Sequence, residues 1–145
     1  MKKLFPALVM LTIFSFQALA EIKPAKLKVQ IEETPRFSWQ LLSGERNQWQ
    51  SAYEIQIFAD SEKLKTGEPV WTSGKVKSPE SVLVEGKGIR LNAAQVYYWR
   101  VKVWDAENRE SEWSETAVFE TNLPRAEDWK NAKWIGFEPL PAAKK

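Results

Sequence analysis

The stretch Val96–Asp105, with the sequence VYYWRVKVWD, decides the fold because its residues alternate between two sides. A period of two is typical of a β-strand, in which successive side chains point to opposite faces of a sheet. One side carries aromatic and aliphatic side chains and is predicted to face the core: Tyr97, Trp99, Val101 and Val103. The other side carries aromatic and cationic side chains: Tyr98, Arg100, Lys102 and Trp104. The alternation therefore predicts a strand between a hydrophobic core and a more polar surface.

Six further stretches have the composition or alternation of short strands. They are Leu27–Glu32, Arg36–Leu41, Ala52–Ala59, Val70–Val76, Ser81–Val84 and Ala117–Thr121. Gly74 predicts a bulge or a bend in the fourth of the seven strands. After the first 20 residues, no apolar pattern at helical spacing continues for three turns. Seven short strands of this kind predict an all-β sandwich.

Leu91 lies six residues before Tyr97, and this spacing resembles the tyrosine corner of fibronectin type III domains. In that feature a tyrosine hydroxyl hydrogen-bonds to the backbone that precedes its strand. We therefore expect a seven-stranded fibronectin type III or immunoglobulin-like β-sandwich, with a structural role for Tyr97.

The first 20 residues are predicted to be a secretory signal peptide. Lys2 and Lys3 precede an apolar run from Leu4 to Phe16, and Ala18-Leu19-Ala20 has the small residues of a cleavage site. The run is shorter than the roughly 20 residues that span a bilayer, so a permanent membrane anchor is the less favoured alternative. We expect a protein that is exported to the bacterial periplasm or the extracellular space and has no membrane contact after cleavage. The sandwich is expected over residues 21–123, followed by a linker or the start of another domain over residues 124–145.

Composition excludes several functions for the exported chain. Without Lys2 and Lys3, its 19 Lys and Arg balance its 19 Asp and Glu, and the two signs are interspersed, so nucleic-acid binding is not expected. The chain has no His and no Cys, which excludes Ser-His-Asp and Cys-His catalysis and the usual zinc sites. Its carboxylates are expected to be solvated surface groups rather than a glycosidase pair. We predict no catalytic residue, no metal site and no cofactor.

Aromatic residues outside the predicted core are the candidates for binding. Arg100 and Trp104 share a strand face that Trp113 can reach, and stacked cations and indoles there would stiffen the sandwich or contact a ligand or domain. Trp49 and Trp71 would either seal the ends of the sandwich or hold a sugar ring by apolar contact.

Several phrases together resemble the amino-terminal fibronectin type III-like module of bacterial α-L-rhamnosidases of glycoside hydrolase family 78. They are PRFSW (35–39), QSAYEI (50–55), VWTSGKV (70–76), YWRVKVWD (98–105), SEWS (111–114), FET (119–121) and DWKNAKWIG (128–136). Asn108-Arg109 stands where the family commonly has an Asp-Gly-like turn.

The resemblance implies an accessory module beside neighbouring domains of a rhamnose-releasing glycosidase. In that family the catalytic residues lie in a barrel far downstream, so none is carried over to this chain. The contact with the next domain is expected in the segment that contains Trp129 and Trp134. Two readings stay open: a non-catalytic structural module, present as a fragment, a truncated frame or a separate piece, and a free-standing exported module that binds a glycan or a protein.

Overall fold

The computed structural model describes residues 20, 22–32 and 34–122. The predicted signal peptide, apart from Ala20, and both Trp129 and Trp134 lie outside the described residues. Within them, strands dominate: β1 (Ile22–Gln30), β2 (Arg36–Ser43), β3 (Ala52–Phe58), β4 (Trp71–Thr72), β5 (Val76–Lys77), β6 (Val84–Glu85), β7 (Val96–Trp104) and β8 (Ala117–Glu120). One short helix, α1 (Ser61–Thr66), follows β3.

The strands form two antiparallel sheets. The smaller sheet has the order β1-β2-β6, and the larger has the order β4-β3-β7-β8 with β5 also paired to β3. This arrangement confirms the predicted all-β sandwich. The fourth predicted strand is present as two pieces, β4 and β5, because Gly74 between them has a φ of 60° and interrupts the pairing with β3.

The core lies between the sheets and is rich in aromatic rings. Phe37 of β2 meets Trp99 of β7 edge to face at 4.8 Å, and Trp39 meets Tyr53 at 5.3 Å. All four predicted core residues of β7 are buried: Tyr97, Trp99, Val101 and Val103. Edge-to-face contacts add to the burial of apolar area, and the alternation along β7 is confirmed.

The predicted tyrosine corner is also present. The hydroxyl of Tyr97 accepts a hydrogen bond of 2.9 Å from the backbone N–H of Asn92. The ring of Tyr97 stacks on Phe119 of β8, with centroids 5.7 Å apart. Tyr97 therefore connects the loop before β7 to the core, as the spacing from Leu91 predicted.

Strand β1 begins earlier than predicted. Between Ala25 and Lys28 it contains one residue more than β2 does, and Lys26 has a φ of 50°, which together form a β-bulge. A bulge shifts the alternation by one residue. Before the bulge, the even-numbered residues Ile22 and Pro24 are buried, whereas after it the odd-numbered Leu27 packs against the core. A constant period of two therefore misses the first half of the strand.

Helix α1 was not expected, because six residues are too few for a periodic pattern. Its end signals are nevertheless in the sequence. The carboxylate of Asp60 caps the first turn by accepting from the N–H of Lys63, and Gly67 ends the helix with a left-handed φ of 71°.

Candidate interaction surface

The outer face of β7 carries cations stacked on aromatic rings, as the alternation predicted. The guanidinium of Arg100 lies 4.4 Å from the ring of Trp113 and 5.0 Å from the ring of Phe58. The amine of Lys102 lies on Trp113 as well, at 4.7 Å. Trp113 therefore contacts two cations. We call the following residues together the cation–aromatic stack: Arg100, Lys102, Trp113, Trp104 and Lys75.

Trp104 and Lys75 continue the stack towards the end of β7. The amine of Lys75 lies 4.3 Å from the ring of Trp104, and that of Lys102 lies 5.9 Å from it. Lys75 also donates a hydrogen bond of 2.7 Å to the side-chain oxygen of Asn108. With these neighbours over it, Trp104 exposes 8% of its surface. The indole is therefore covered within the module itself.

Two serines bring Trp113 onto this face. Ser111 and Val103 exchange two bonds: the N–H of Ser111 donates to the carbonyl of Val103, and the N–H of Val103 donates to the serine hydroxyl. Ser114 makes the same pair of bonds with Val101. The Ser-Glu-Trp-Ser segment is thereby fixed along the edge of β7 at two points, and the indole between them is held over the cations.

Arg100 is partly withdrawn from water in this stack. Its guanidinium donates twice to the side-chain oxygen of Gln56, at 2.9 and 3.2 Å. Burial lowers the pKa of Arg100, and the nearby Glu54 opposes that shift. An arginine remains charged at neutral pH despite such a shift, so the stack holds a permanent cation.

The two tryptophans proposed as sugar platforms lie in different environments. Trp71 is half-buried and packs against the core, since its partner across the sheet is the buried Ile57. Trp49 lies in the loop between β2 and β3 and exposes 58% of its surface. Trp49 is therefore the more accessible of the two, and a binding role for either residue stays a prediction.

Next to Trp49, Gln50 is buried and has a structural role that the sequence did not predict. Its oxygen accepts from the indole N–H of Trp39 at 2.9 Å, and its amide group donates to the carbonyls of Ser78 and Glu80. Gln50 therefore joins β2 to the loop after β5. A polar residue in a polar loop gives no sequence signal that it will be buried.

Asp105 is buried too, contrary to the expectation of a solvated carboxylate. It accepts from the backbone N–H of Arg109 and pairs with the guanidinium of the same residue at 2.7 Å. Asn108 adopts a φ of 62° in this turn, a conformation that Asn tolerates better than most residues. The ion pair between Asp105 and Arg109 thus closes a turn that contains no glycine.

Three other described acids have partners within the module. Glu32 pairs with Arg36 at 3.7 Å, Asp60 caps α1, and Glu107 pairs with Arg109 at 3.2 Å. In the described ranges, no three Asp, Glu, His or Cys side chains are gathered as metal ligands would be. The same residues contain no helix of the length and hydrophobicity that a bilayer crossing requires.

Residues 21–125 match the family described as the Rha78A-like, N-terminal immunoglobulin domain. An α-L-rhamnosidase of Formosa agariphila is 44% identical over 104 residues, which are 71% of this chain and 11% of that protein. An α-L-rhamnosidase of Alteromonas sp. is 37% identical over 132 residues, covering 84% of this chain and 14% of that protein. The chain therefore spans a small fraction of the length of these curated relatives.

Solved structures agree with this relationship. The α-L-rhamnosidase of Streptomyces avermitilis, complexed with L-rhamnose, superposes with a TM-score of 0.68 at 35% identity over 75% of this chain and 11% of that one. The enzyme from Dictyoglumus thermophilum gives a TM-score of 0.67 at 34% identity, over 74% of this chain and 13% of that one. This chain belongs to the Rha78A-like N-terminal immunoglobulin domain family, and it corresponds to the amino-terminal immunoglobulin domain of α-L-rhamnosidases.

Proposed function

We propose that this chain supports an exported glycosidase as a folded amino-terminal module and has no hydrolytic activity of its own. The observation that carries the proposal is the extent of the match: the chain corresponds to 10 to 14% of each rhamnosidase that it resembles. The chemistry of the chain agrees, since it contains neither His nor Cys, and among the described acids Asp60 caps α1 and Asp105 pairs with Arg109.

The cation–aromatic stack supports a structural role for Arg100, Trp104 and Trp113. Trp104 is buried, and the ring of its neighbour Trp113 contacts two cations within the module. These contacts already occupy much of the surface through which the side chains could meet a ligand. We infer that they stiffen the larger sheet, which keeps the module a rigid body beside its neighbouring domains.

Export and the neighbouring domains belong to the same proposal. The basic and apolar start of the chain supports secretion, with cleavage after Ala20. The segment with Trp129 and Trp134 is the proposed connection to the next domain. Mass spectrometry of the protein recovered from the periplasm or medium should show a chain that begins at Glu21, and an uncleaved cytoplasmic product would contradict the export proposal.

The absence of activity is tested with an aryl α-L-rhamnoside and the purified chain. We expect no release of the aryl group above the buffer rate, while a full-length α-L-rhamnosidase of the same family serves as the positive control. Release that scales with the concentration of the purified chain would overturn the proposal. Heat-denatured chain controls for a contaminating enzyme only in part, so the activity must also co-elute with the chain in size-exclusion chromatography.

A glycan-binding role is the second candidate, and the exposure of Trp49 is the observation that favours it. An accessible indole can pack on the apolar face of a sugar ring. Affinity electrophoresis in gels containing rhamnose-bearing polysaccharides would show retardation of the chain and its loss in Trp49→Ala. Leu42→Ala is the matched control, because Leu42 is an exposed and uncharged residue at the end of β2 and is not a candidate for sugar binding. Equal mobility of all three proteins with and without polysaccharide would eliminate this candidate.

A further inference from the structure

The larger sheet has a row of apolar side chains across its outer face. Tyr98 pairs with Phe58 on one side and Val118 on the other. Val70 continues the row beyond Phe58. It directly precedes Trp71, which pairs with Ile57, and the N–H of Val70 donates to the carbonyl of Ile57. Because directly opposite residues point to the same face, these four side chains lie side by side. Val96 adds a fifth apolar residue two positions before Tyr98 on the same face.

Three of these side chains are largely open to solvent. Val118 exposes 58% of its surface, Val70 exposes 51% and Val96 exposes 43%. Phe58, in contrast, is fully buried, and the guanidinium of Arg100 lies on its ring. We call Val70, Val96, Tyr98 and Val118 the bare patch. The rest of the described face carries the cation–aromatic stack and polar side chains such as Gln56 and Thr72, and Glu120, opposite Val96, lies at the margin of the bare patch.

The chain leaves the sandwich beside the bare patch. After β8, the N–H of Thr121 donates to the carbonyl of Gln95, and the hydroxyl of Thr121 donates to the carbonyl of Asn92. Gln95 directly precedes Val96. The polypeptide that follows Asn122 therefore starts within a few residues of the patch, and its covalent attachment gives it a high effective concentration there.

We propose that the continuation of the chain, residues 123–145, docks on the bare patch and places the Trp129–Ile135 stretch against Tyr98 and Val118. This stretch contains two Trp and one Ile within seven residues. The sheet is about 14 Å wide from Val118 to Val70, given strand spacings of about 4.8 Å. Seven extended residues from Asn122 to Trp129 reach about 25 Å, so the segment can cross the patch without disturbing β8.

The docked segment would fix how the module is oriented relative to whatever follows it in the chain. The inference does not depend on glycosidase activity or on a neighbouring domain, because both the patch and the proposed occupant belong to this chain. A second copy of the chain is the competing occupant, since two bare patches could also bury one another.

The absence of cysteine allows a direct test by disulfide crosslinking in the chain from Glu21 to Lys145. One double variant combines Val118→Cys with Ala132→Cys, which lies between the two tryptophans and removes neither. The control combines Val82→Cys with Ala132→Cys, because Val82 exposes 69% of its surface on the segment that precedes β6 in the other sheet. Under dilute oxidising conditions, we expect the first pair to form an intramolecular disulfide at least tenfold faster. Equal rates, or a dominant disulfide-linked dimer of the first variant, would overturn the proposal.

Proteolysis tests the same docking without cysteines. Trypsin cleaves after Lys130 and Lys133 only when the segment around them is accessible. We expect Val118→Asp to accelerate both cleavages at least fivefold, because a carboxylate on the patch opposes the burial of indoles, while Val82→Asp leaves the rates unchanged. Cleavage of the unsubstituted chain as fast as that of a free peptide of residues 123–145, or no effect of Val118→Asp, would refute the docking.

Discussion

Arg100 and Trp113 should stabilise the folded state jointly, and a double-mutant cycle measures by how much. The substitutions are Arg100→Met, which keeps an unbranched apolar stem, and Trp113→Leu, which keeps an apolar side chain without the indole face. The guanidinium lies 4.4 Å from the ring centroid, within the range of a cation–π contact. A cycle is needed because each residue has other partners: Arg100 donates to Gln56, and Trp113 also contacts Lys102.

The expected coupling free energy is about 1 kcal/mol. Exposed cation–π pairs contribute about 0.5 to 1 kcal/mol and desolvated pairs about 2 kcal/mol. Arg100 is intermediate between these cases, since it is partly buried and burial lowers its pKa. Trp113→Leu alone loses the contacts with both cations, so it should cost about 1 to 2 kcal/mol from these terms before any loss of packing.

Urea unfolding followed by circular dichroism gives the four free energies of unfolding by linear extrapolation. The control cycle pairs Trp113→Leu with Arg36→Met, because Arg36 lies in β2 of the other sheet and pairs with the exposed Glu32. The control effects should add to within about 0.5 kcal/mol, as is usual for distant sites. A coupling between Arg100 and Trp113 no larger than that of the control cycle would show that their contact does not stabilise the module.

Three further substitutions test other contacts of the fold. Gln50→Leu should lower the free energy of unfolding by about 2 to 4 kcal/mol, because it removes the partner of the buried Trp39 indole N–H and of the carbonyls of Ser78 and Glu80. Gln48→Leu is the control in urea unfolding, and equal midpoints would contradict the prediction. Tyr97→Phe should cost about 1 kcal/mol and speed amide hydrogen exchange at Asn92, and unchanged exchange there would refute the tyrosine corner. Burial raises the pKa of the Tyr53 phenol above its usual value of 10.0, and the negative charge of Glu80 raises this pKa further. The folded state therefore retains this proton more tightly than the unfolded state, and its contribution to stability is present below pH 10 and lost as the pH rises through the folded pKa. Stability should fall less between pH 10 and 11 in Tyr53→Phe than in the unsubstituted chain, and parallel curves would contradict this assignment.

The strand faces could be predicted because a single physical rule links sequence to orientation in a strand. No bulge shifts the register between β7 and β3, and the inward side chains of these strands, such as Trp99 and Ile55, are buried. In β1 the bulge near Lys26 shifts the alternation, which hid the strand's first half. The split of the fourth strand at Gly74 was signalled by the glycine itself, whereas α1 was too short for its periodicity to show.

The sequence by itself determined the sandwich, the tyrosine corner and the presence of cations and indoles on one face of β7. These features follow from spacing within one strand or one turn. Tertiary structure alone decided which ring each cation meets, that Trp71 packs inwards while Trp49 stays exposed, and that Gln50 and Asp105 are buried. It also aligned Val70, Phe58, Tyr98 and Val118 across three strand pairings, and these residues are up to 60 positions apart in the chain. Register between strands sets such neighbours, and no local pattern within a single strand encodes register.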